Sequence, residues 1–415
     1  MNEAVQSHQR AGSVLGGVLL IAGSCIGAGM LALPVVTGPG GFIPSMGCFL
    51  IAWLFMTLTG FLLLEANLTL GYKLSLVSLA DKTLGPVGRF LCWVLFLFLF
   101  YSLGIAYIAA SGSILQSILA DLMGVLIPQW GGSLLFTTLF AAVLLIGTRF
   151  VDYANRLLML GLVISYCALV FLGSFHIRLE YLLVSQWKYA FAALPVLVIS
   201  FGFHNMIPSL AMYFEGDVKR LRITVLIGSL LPLLIYFIWQ AVMLGIIPSQ
   251  EIYSAIDQGE AATEALRSIA GQSWINAVAQ SFALFAIVTS FLAQSLSLVD
   301  FLADGLKVPK IGIGRVLLVF LSLAPPFTLT FLYPGIFLRA LNLAGGFSAV
   351  ILFGIMPALM VWVLRYKKKI QMSPLIPAGR LLLSLILIVA SSIFLLELAQ
   401  ELGWSLLPEQ LEIIP

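Results

Sequence analysis

Apolar residues run in long blocks along this chain, and polar residues fall in short clusters between them. A helix needs about 20 mostly apolar residues to cross a bilayer. Blocks bounded by charged or Pro/Gly-rich punctuation lie at about 13–36, 42–66, 90–119, 131–148, 157–175, 189–214, 223–247, 274–301, 316–333, 340–364 and 381–402. They predict eleven spanning helices, spans 1 to 11, joined by short loops. The longest loop on the side away from the N-terminus, Pro248–Ser273, carries Glu251, Asp257, Glu260 and Glu264 and predicts a small surface helix.

Two spans carry defects at mid-depth. Span 1 contains GSCIGAGMLALP (Gly23–Pro34), and span 6 contains AALPVLVISFGFHNMIPSL from Ala192, with its weak point at Ser200–Asn205 and Pro208 just after it. Each interior glycine costs a helix roughly 1 kcal/mol relative to alanine. Unwound backbone is costly in lipid and persists where it lines a cavity or meets a ligand. A helix that restarts at mid-membrane presents free N–H groups suited to a carboxylate. The carbonyls freed on the other side of the break suit an ammonium group or a cation. Small-residue packing between helices would account for glycines in span 1 alone, but the second break in span 6 favours a binding site. Each broken span opens a block of five, and the two run in opposite directions. That is the pattern of an inverted repeat, with span 11 appended. The expected organisation is a polar segment 1–12, a first five-helix repeat 13–180, a second 181–370, and a final span with its tail at 371–415.

Composition agrees with a polytopic membrane protein. The chain is 61% hydrophobic and 9% charged, against roughly 25% charged residues in soluble domains. The net charge of +3 says little about partners, and neither nucleic acid nor an obligate protein partner is expected. The distribution of charge is more telling. With a cytoplasmic N-terminus, 17 of the 21 Lys and Arg residues fall on the inner side, leaving Arg178, Lys188, Arg267 and Arg339 outside. This bias sets the orientation and puts the C-terminus outside. Span 1 is too long for a signal peptide core and reads as an uncleaved helix. The four cysteines lie in apolar runs with no metal-ligand spacing, so neither a metal nor an organic cofactor is expected. No paired His/Asp set, GxSxG motif or intramembrane carboxylate dyad supports a membrane-embedded enzyme. A channel or a non-transporting sensor of the same architecture remains a competing reading.

The strings GSCIGAGMLALP, SFGFHNMIPSL, GSLLPLLIYFIWQ, TSFLAQSLSLVDFLADGL and FLYPGIFLRALNLAGGF resemble the hydroxy/aromatic amino acid permeases. That family belongs to the amino acid–polyamine–organocation superfamily, and the likeness extends from span 1 to span 10. Overall it is closest to the tyrosine/tryptophan branch. The resemblance implies an all-α, leucine-transporter-type fold of two inverted five-helix repeats. It also implies proton-coupled import of an amino acid across a bacterial inner membrane. The substrate expected first is tyrosine. Tryptophan, a serine/threonine-type substrate, or sodium coupling are the alternatives.

Placed on this fold, Ala28 and Gly29 would donate amides to the substrate carboxylate, with Gly27 giving access, and Ser24 and Cys25 would offer carbonyls to its amino group. Ser200, Phe201, Gly202 and Phe203 would face them, with Phe201 or Phe203 stacking on an aromatic ring. Tyr101 and Phe285 lie at pocket depth. His204 is a candidate for proton coupling, since ionisable groups within membranes are expensive and usually functional. It could equally bond freed backbone as a neutral ring. Thr289 and Ser290, with the carbonyls of Gly23 and Ile26, match the cation site of sodium-coupled members. Their hydroxyls could instead bond their own helix. Glu65, Glu215 and Asp300 lie at the inner ends of spans 2, 6 and 8 as gate candidates.

Overall fold

The computed structural model describes residues 13–404, apart from 147, 270–272, 371–373 and 378, and the side chains of 121–123, 148–154, 267–269 and 273–276. The expected segment 1–12 and the end of the tail lie outside the described residues. The described chain is helical, with ten helices long and apolar enough to cross a membrane and a bent pair that brings the number to eleven. Span 1 is that pair, Val14–Cys25 and Ala28–Gly40, with 53° between its two parts. Span 2 is Phe42–Thr69, span 4 Gln129–Ile146, span 5 Thr148–Ser174 and span 7 Val218–Ile246. Spans 8, 9 and 11 are Ser273–Leu306, Gly312–Leu332 and Arg380–Glu401.

Span 3 begins earlier than its apolar run. A helix starts at Leu76, its first turn capped by Ser75, which accepts from the Ser78 amide. It turns at Gly85, whose φ of +78° only glycine adopts cheaply, and continues from Pro86 to Met123. Proline is tolerated at the start of a helix because its missing N–H is not needed there. The polar residues of 76–84 hid this turn from a reading based on apolar runs.

The loop after span 7 also differs from its expectation. It forms two helices, Ser249–Gln258 and Ala262–Ile269. They lie at the surface with one side buried: Ile252, Ala262 and Leu266 are buried, while Asp257 and Gln258 are exposed. Ile252 packs so closely on Gly38 that a Cβ there would meet it at 2.7 Å. The buried residues of these helices cover the second half of span 1, and of the four acidic residues Asp257 is exposed while Glu251, Glu260 and Glu264 are partly buried.

Prolines inside spans leave carbonyls without their usual donor four residues on, and in lipid each must be met within the protein. Pro34 orphans the Met30 carbonyl, which accepts from the Trp239 indole at 2.9 Å. Pro325 orphans the Leu321 carbonyl, which accepts from the Tyr101 hydroxyl at 3.0 Å. In both cases an aromatic donor on a neighbouring span replaces the missing backbone bond, pinning span 7 to span 1 and span 3 to span 9. Span 10 runs over Phe337–Lys367 and is wound as a π-helix through Ala344–Ile355. Its Gly345 lies directly against the Pro195 carbonyl.

Candidate functional site

Both sequence breaks are breaks in the structure. In span 1, Ile26 and Gly27 leave helical geometry. The second half restarts at Ala28 with no side chain capping its first amides. Gly27 is extended (φ −170°), so steric room rather than backbone freedom demands glycine there: a Cβ would meet Ser290 Oγ at 2.5 Å. In span 6 the helix Leu194–Ser200 stops, Phe201–Phe203 are irregular, and a short 3₁₀ turn at His204–Met206 leads into Ile207–Tyr213.

The two breaks meet at one cavity of about 280 Å³, close to the lower end of the roughly 300–1,000 Å³ typical of small-molecule sites. Gly23, Ser24, Cys25, Gly27, Ala28 and Gly29 line it from span 1, and Ser200, Gly202 and Asn205 from span 6. Thr289, Ser290 and Gln294 line it from span 8, with Phe96, Phe100 and Tyr107 from span 3 and Phe353 from span 10. None of these lining residues carries a side-chain charge. A zwitterion held here would be met by backbone dipoles and neutral side chains alone.

The cavity opens toward the face where span 1 begins and span 8 ends, and exposed Leu19, Asn205 and Ser297 ring that opening. Toward the other face, Met30 to Val35 and Val196 to Val198 are buried. The 248–269 helices lie over the second half of span 1.

Hydroxyl groups link the site's elements. Ser290 Oγ donates to the Ile26 carbonyl at 3.2 Å, and Thr289 donates to Phe285 O of its own helix at 2.8 Å. Tyr236 of span 7 is fully buried, and its hydroxyl donates to Cys25 O at 2.6 Å and to Ser200 O at 2.9 Å. One side chain thus bonds the broken end of both interrupted spans. Gln294 Nε2 donates to Phe100 O at 2.6 Å, which fixes the amide's orientation because a carbonyl can only accept. Gln294 Oε1 has no hydrogen-bond partner.

Other sequence candidates lie off the cavity. Phe201 and Phe203 are buried. Phe201 packs edge-on against Tyr236, and Phe203 packs over Gly60. In an irregular stretch side chains keep no fixed period, so Gly202 faces the cavity while both neighbouring rings turn away. Rings reach the cavity from spans 3 and 10 instead. Tyr101 supplies the Pro325 repair, and Phe285 packs on Gly161. The Ile26 side chain does not line the cavity, although its carbonyl meets Ser290.

His204 sits one layer behind, stacked on Phe353 at 4.9 Å and on Phe203 at 5.1 Å. Its Nε2 is 3.0 Å from Thr59 Oγ1, whose own proton is directed to the Phe55 or Met56 carbonyl. Nδ1 has no hydrogen-bond partner.

The gate candidates separate by environment. Glu65 is buried and accepts from Arg365 through Nε (3.0 Å) and Nη2, and from the Leu375 amide at 3.1 Å. It therefore ties span 2 to the end of span 10 and to the loop beyond. Asp300, near the end of span 8, pairs with Lys310 of the connection that follows at 2.9 Å, both half-exposed. That hydrogen bond holds the Lys310 ammonium above its usual pKa. Glu215 is exposed, at a φ of +52°.

Reading apolar runs and breaks did not single out Tyr236, Trp239, Gln294, Tyr107 or Phe353. Tyr236 and Trp239 lie in the quoted string GSLLPLLIYFIWQ, where the usable signal was a buried donor on the span expected to pack beside two broken ones.

A multi-pass helical bundle with a cavity at two interrupted spans is the architecture of a membrane transporter. The chain belongs to the tryptophan/tyrosine permease family, which it matches over residues 10–397. It is 32% identical to the tryptophan-specific transport protein of Haemophilus influenzae, over 96% of this chain and 98% of that one. It is 34% identical to the tryptophan-specific transport protein of Pseudomonas aeruginosa, over 90% and 91% of the two chains. It is also 32% identical to the tyrosine-specific transport system 1 of H. influenzae, over 85% and 88%.

Proposed function

We propose that the protein imports aromatic amino acids, tyrosine first among them, across a bacterial inner membrane by proton symport with alternating access. The observation that carries this reading is the charge-free cavity at the two breaks. The uncapped amides of Ala28 and Gly29 take the substrate carboxylate, and freed carbonyls take its ammonium group. Phe96, Phe100 and Phe353 take the ring. Relatives named for tryptophan and tyrosine transport support the aromatic class. Tyrosine over tryptophan rests on overall resemblance, as does the proton.

With the basic face cytoplasmic, the cavity is open inward. Spans 1, 2, 6 and 7 then move against the rest, the two five-span blocks acting as inverted repeats. The Glu65–Arg365 pair breaks and re-forms in that motion. Sodium coupling is the second reading, because Thr289 and Ser290 both line the cavity beside the Ile26 carbonyl.

The test is uptake of labelled tyrosine and tryptophan into proteoliposomes under an inward proton gradient without sodium. Uncoupler-sensitive accumulation, competed by aromatic amino acids and not by serine, is the expected result. Uptake that begins only when sodium is added moves the assignment to the Thr289–Ser290 site. Saturable binding without uptake under either gradient refutes the importer reading.

A further inference from the structure

The Tyr236 hydroxyl has one proton and two acceptors, Cys25 O and Ser200 O. Each acceptor ends a helical segment just before a break, so neither meets the backbone donor that a continuous helix would supply. A carbonyl oxygen has two lone pairs. Tyr236 does not line the cavity, whereas Cys25 and Ser200 do. The hydroxyl therefore engages the two carbonyls from behind and shares its proton between them, leaving acceptor capacity on both. The two distances, 2.6 and 2.9 Å, put these oxygens at most 5.5 Å apart. An ammonium nitrogen bonds to an oxygen at about 2.8 Å, so one ammonium group can bridge acceptors held at such a spacing.

We propose that Tyr236 is the positioning residue for the substrate's ammonium group, holding Cys25 O and Ser200 O as a paired acceptor across the two breaks. This rests on the reading of the cavity as an amino acid site. It goes beyond that reading by making recognition of the amine depend on a residue of span 7. Phe201 packs edge-on against the Tyr236 ring at 5.1 Å and keeps it upright between the breaks. The same hydroxyl also makes the breaks one unit: span 1 and span 6 cannot shift past each other without losing one of its bonds.

The test compares binding of tryptophan and tyrosine with binding of their desamino analogues, indole-3-propionate and 3-(4-hydroxyphenyl)propionate. Each competes with the labelled amino acid for purified full-length protein. In Tyr236→Phe the amino acids are expected to lose about ten-fold in affinity, about 1.4 kcal/mol, while the analogues change less than about two-fold. Replacing Tyr236 with 4-aminophenylalanine, which keeps a donor, is expected to hold the amino acids within about three-fold of wild type. Equal losses for amino acids and analogues in Tyr236→Phe would mean a merely structural role and overturn the proposal. So would no loss at all, or a loss in the donor-keeping variant as large as in Tyr236→Phe. If Tyr236→Phe does not fold, the 4-aminophenylalanine variant decides alone by the same criterion. Wild-type protein that binds neither amino acid defeats the underlying aromatic reading, before any variant is made.

Discussion

Trp239→Phe removes the indole N–H that reaches the Met30 carbonyl, the group Pro34 leaves without its backbone partner. A buried acceptor stripped of its hydrogen bond costs about 1–3 kcal/mol. The substitution also removes ring volume from a fully buried position, a loss that adds to the total but has nothing to do with the carbonyl. Pro34→Ala separates the two. Alanine at position 34 supplies the N–H that a continuous helix offers to Met30 O, so Trp239→Phe in that background costs only its packing part. The expected coupling between the two substitutions is therefore about 1–2 kcal/mol, with the double variant more stable than the sum of the singles predicts. Equilibrium unfolding in mixed detergent micelles measures all four proteins. Independent sites add within about 0.5 kcal/mol. A coupling inside that range would refute the idea that the indole substitutes for the backbone bond.

Four further outcomes follow from the site. Gly29→Ala places a Cβ against Ser200, whose Cα it would approach at 3.3 Å; uptake should fall at least about ten-fold, and Ser200→Gly in the same chain should restore part of it. Gln294 lines the cavity from span 8, bonded to the Phe100 carbonyl of span 3, and its Oε1 is an unpartnered acceptor. Gln294→Leu should therefore narrow the preference for tryptophan and tyrosine over phenylalanine by about five-fold in competition assays, given about 1 kcal/mol for a hydrogen bond. Glu65→Ala removes the buried carboxylate that faces the largely buried Arg365; a loss of about 3–5 kcal/mol should show as poor recovery of folded protein, largely relieved by adding Arg365→Met. Asp300→Asn should change stability by less than about 1 kcal/mol, because the pair with Lys310 is solvent-screened. Since the folded Lys310 pKa is raised, whatever the pair contributes is fully present below the unfolded lysine pKa, about 10.4, and lost only above it. Thermal unfolding should accordingly show no pH-dependent difference between Asp300→Asn and wild type from pH 6 to 9.

The spans were legible because the bilayer imposes a length and a polarity that a one-dimensional pattern carries. The two breaks were legible because Gly and Pro punctuate a helix wherever it lies. What lay beyond the pattern was direction. Phe201 and Phe203 have the right chemistry at the right depth, yet an irregular segment turns them into the packing behind the cavity and gives the cavity to Gly202. Tyr101 has the depth of a pocket residue, but Pro325, more than two hundred positions away in the sequence, claims its hydroxyl. Trp239 and Pro34 form the same kind of pair. Such repairs join residues that no local periodicity relates, so the donor looks like any other aromatic residue until the spans are packed. Helix 76–84 was missed for the opposite reason: it is polar enough to fall below the pattern.

The uncharged lining of the cavity has an electrical consequence. Moving one elementary charge through a membrane potential costs or yields about 2.3 kcal/mol per 100 mV. In the proposed cycle the empty site contributes no fixed charge when it reorients, and a bound zwitterion adds no net charge. Voltage then acts at this site only through the co-transported cation. The return of the empty carrier is a step the membrane potential neither drives nor opposes through the site, so a voltage-dependent turnover rate would report the loaded half of the cycle.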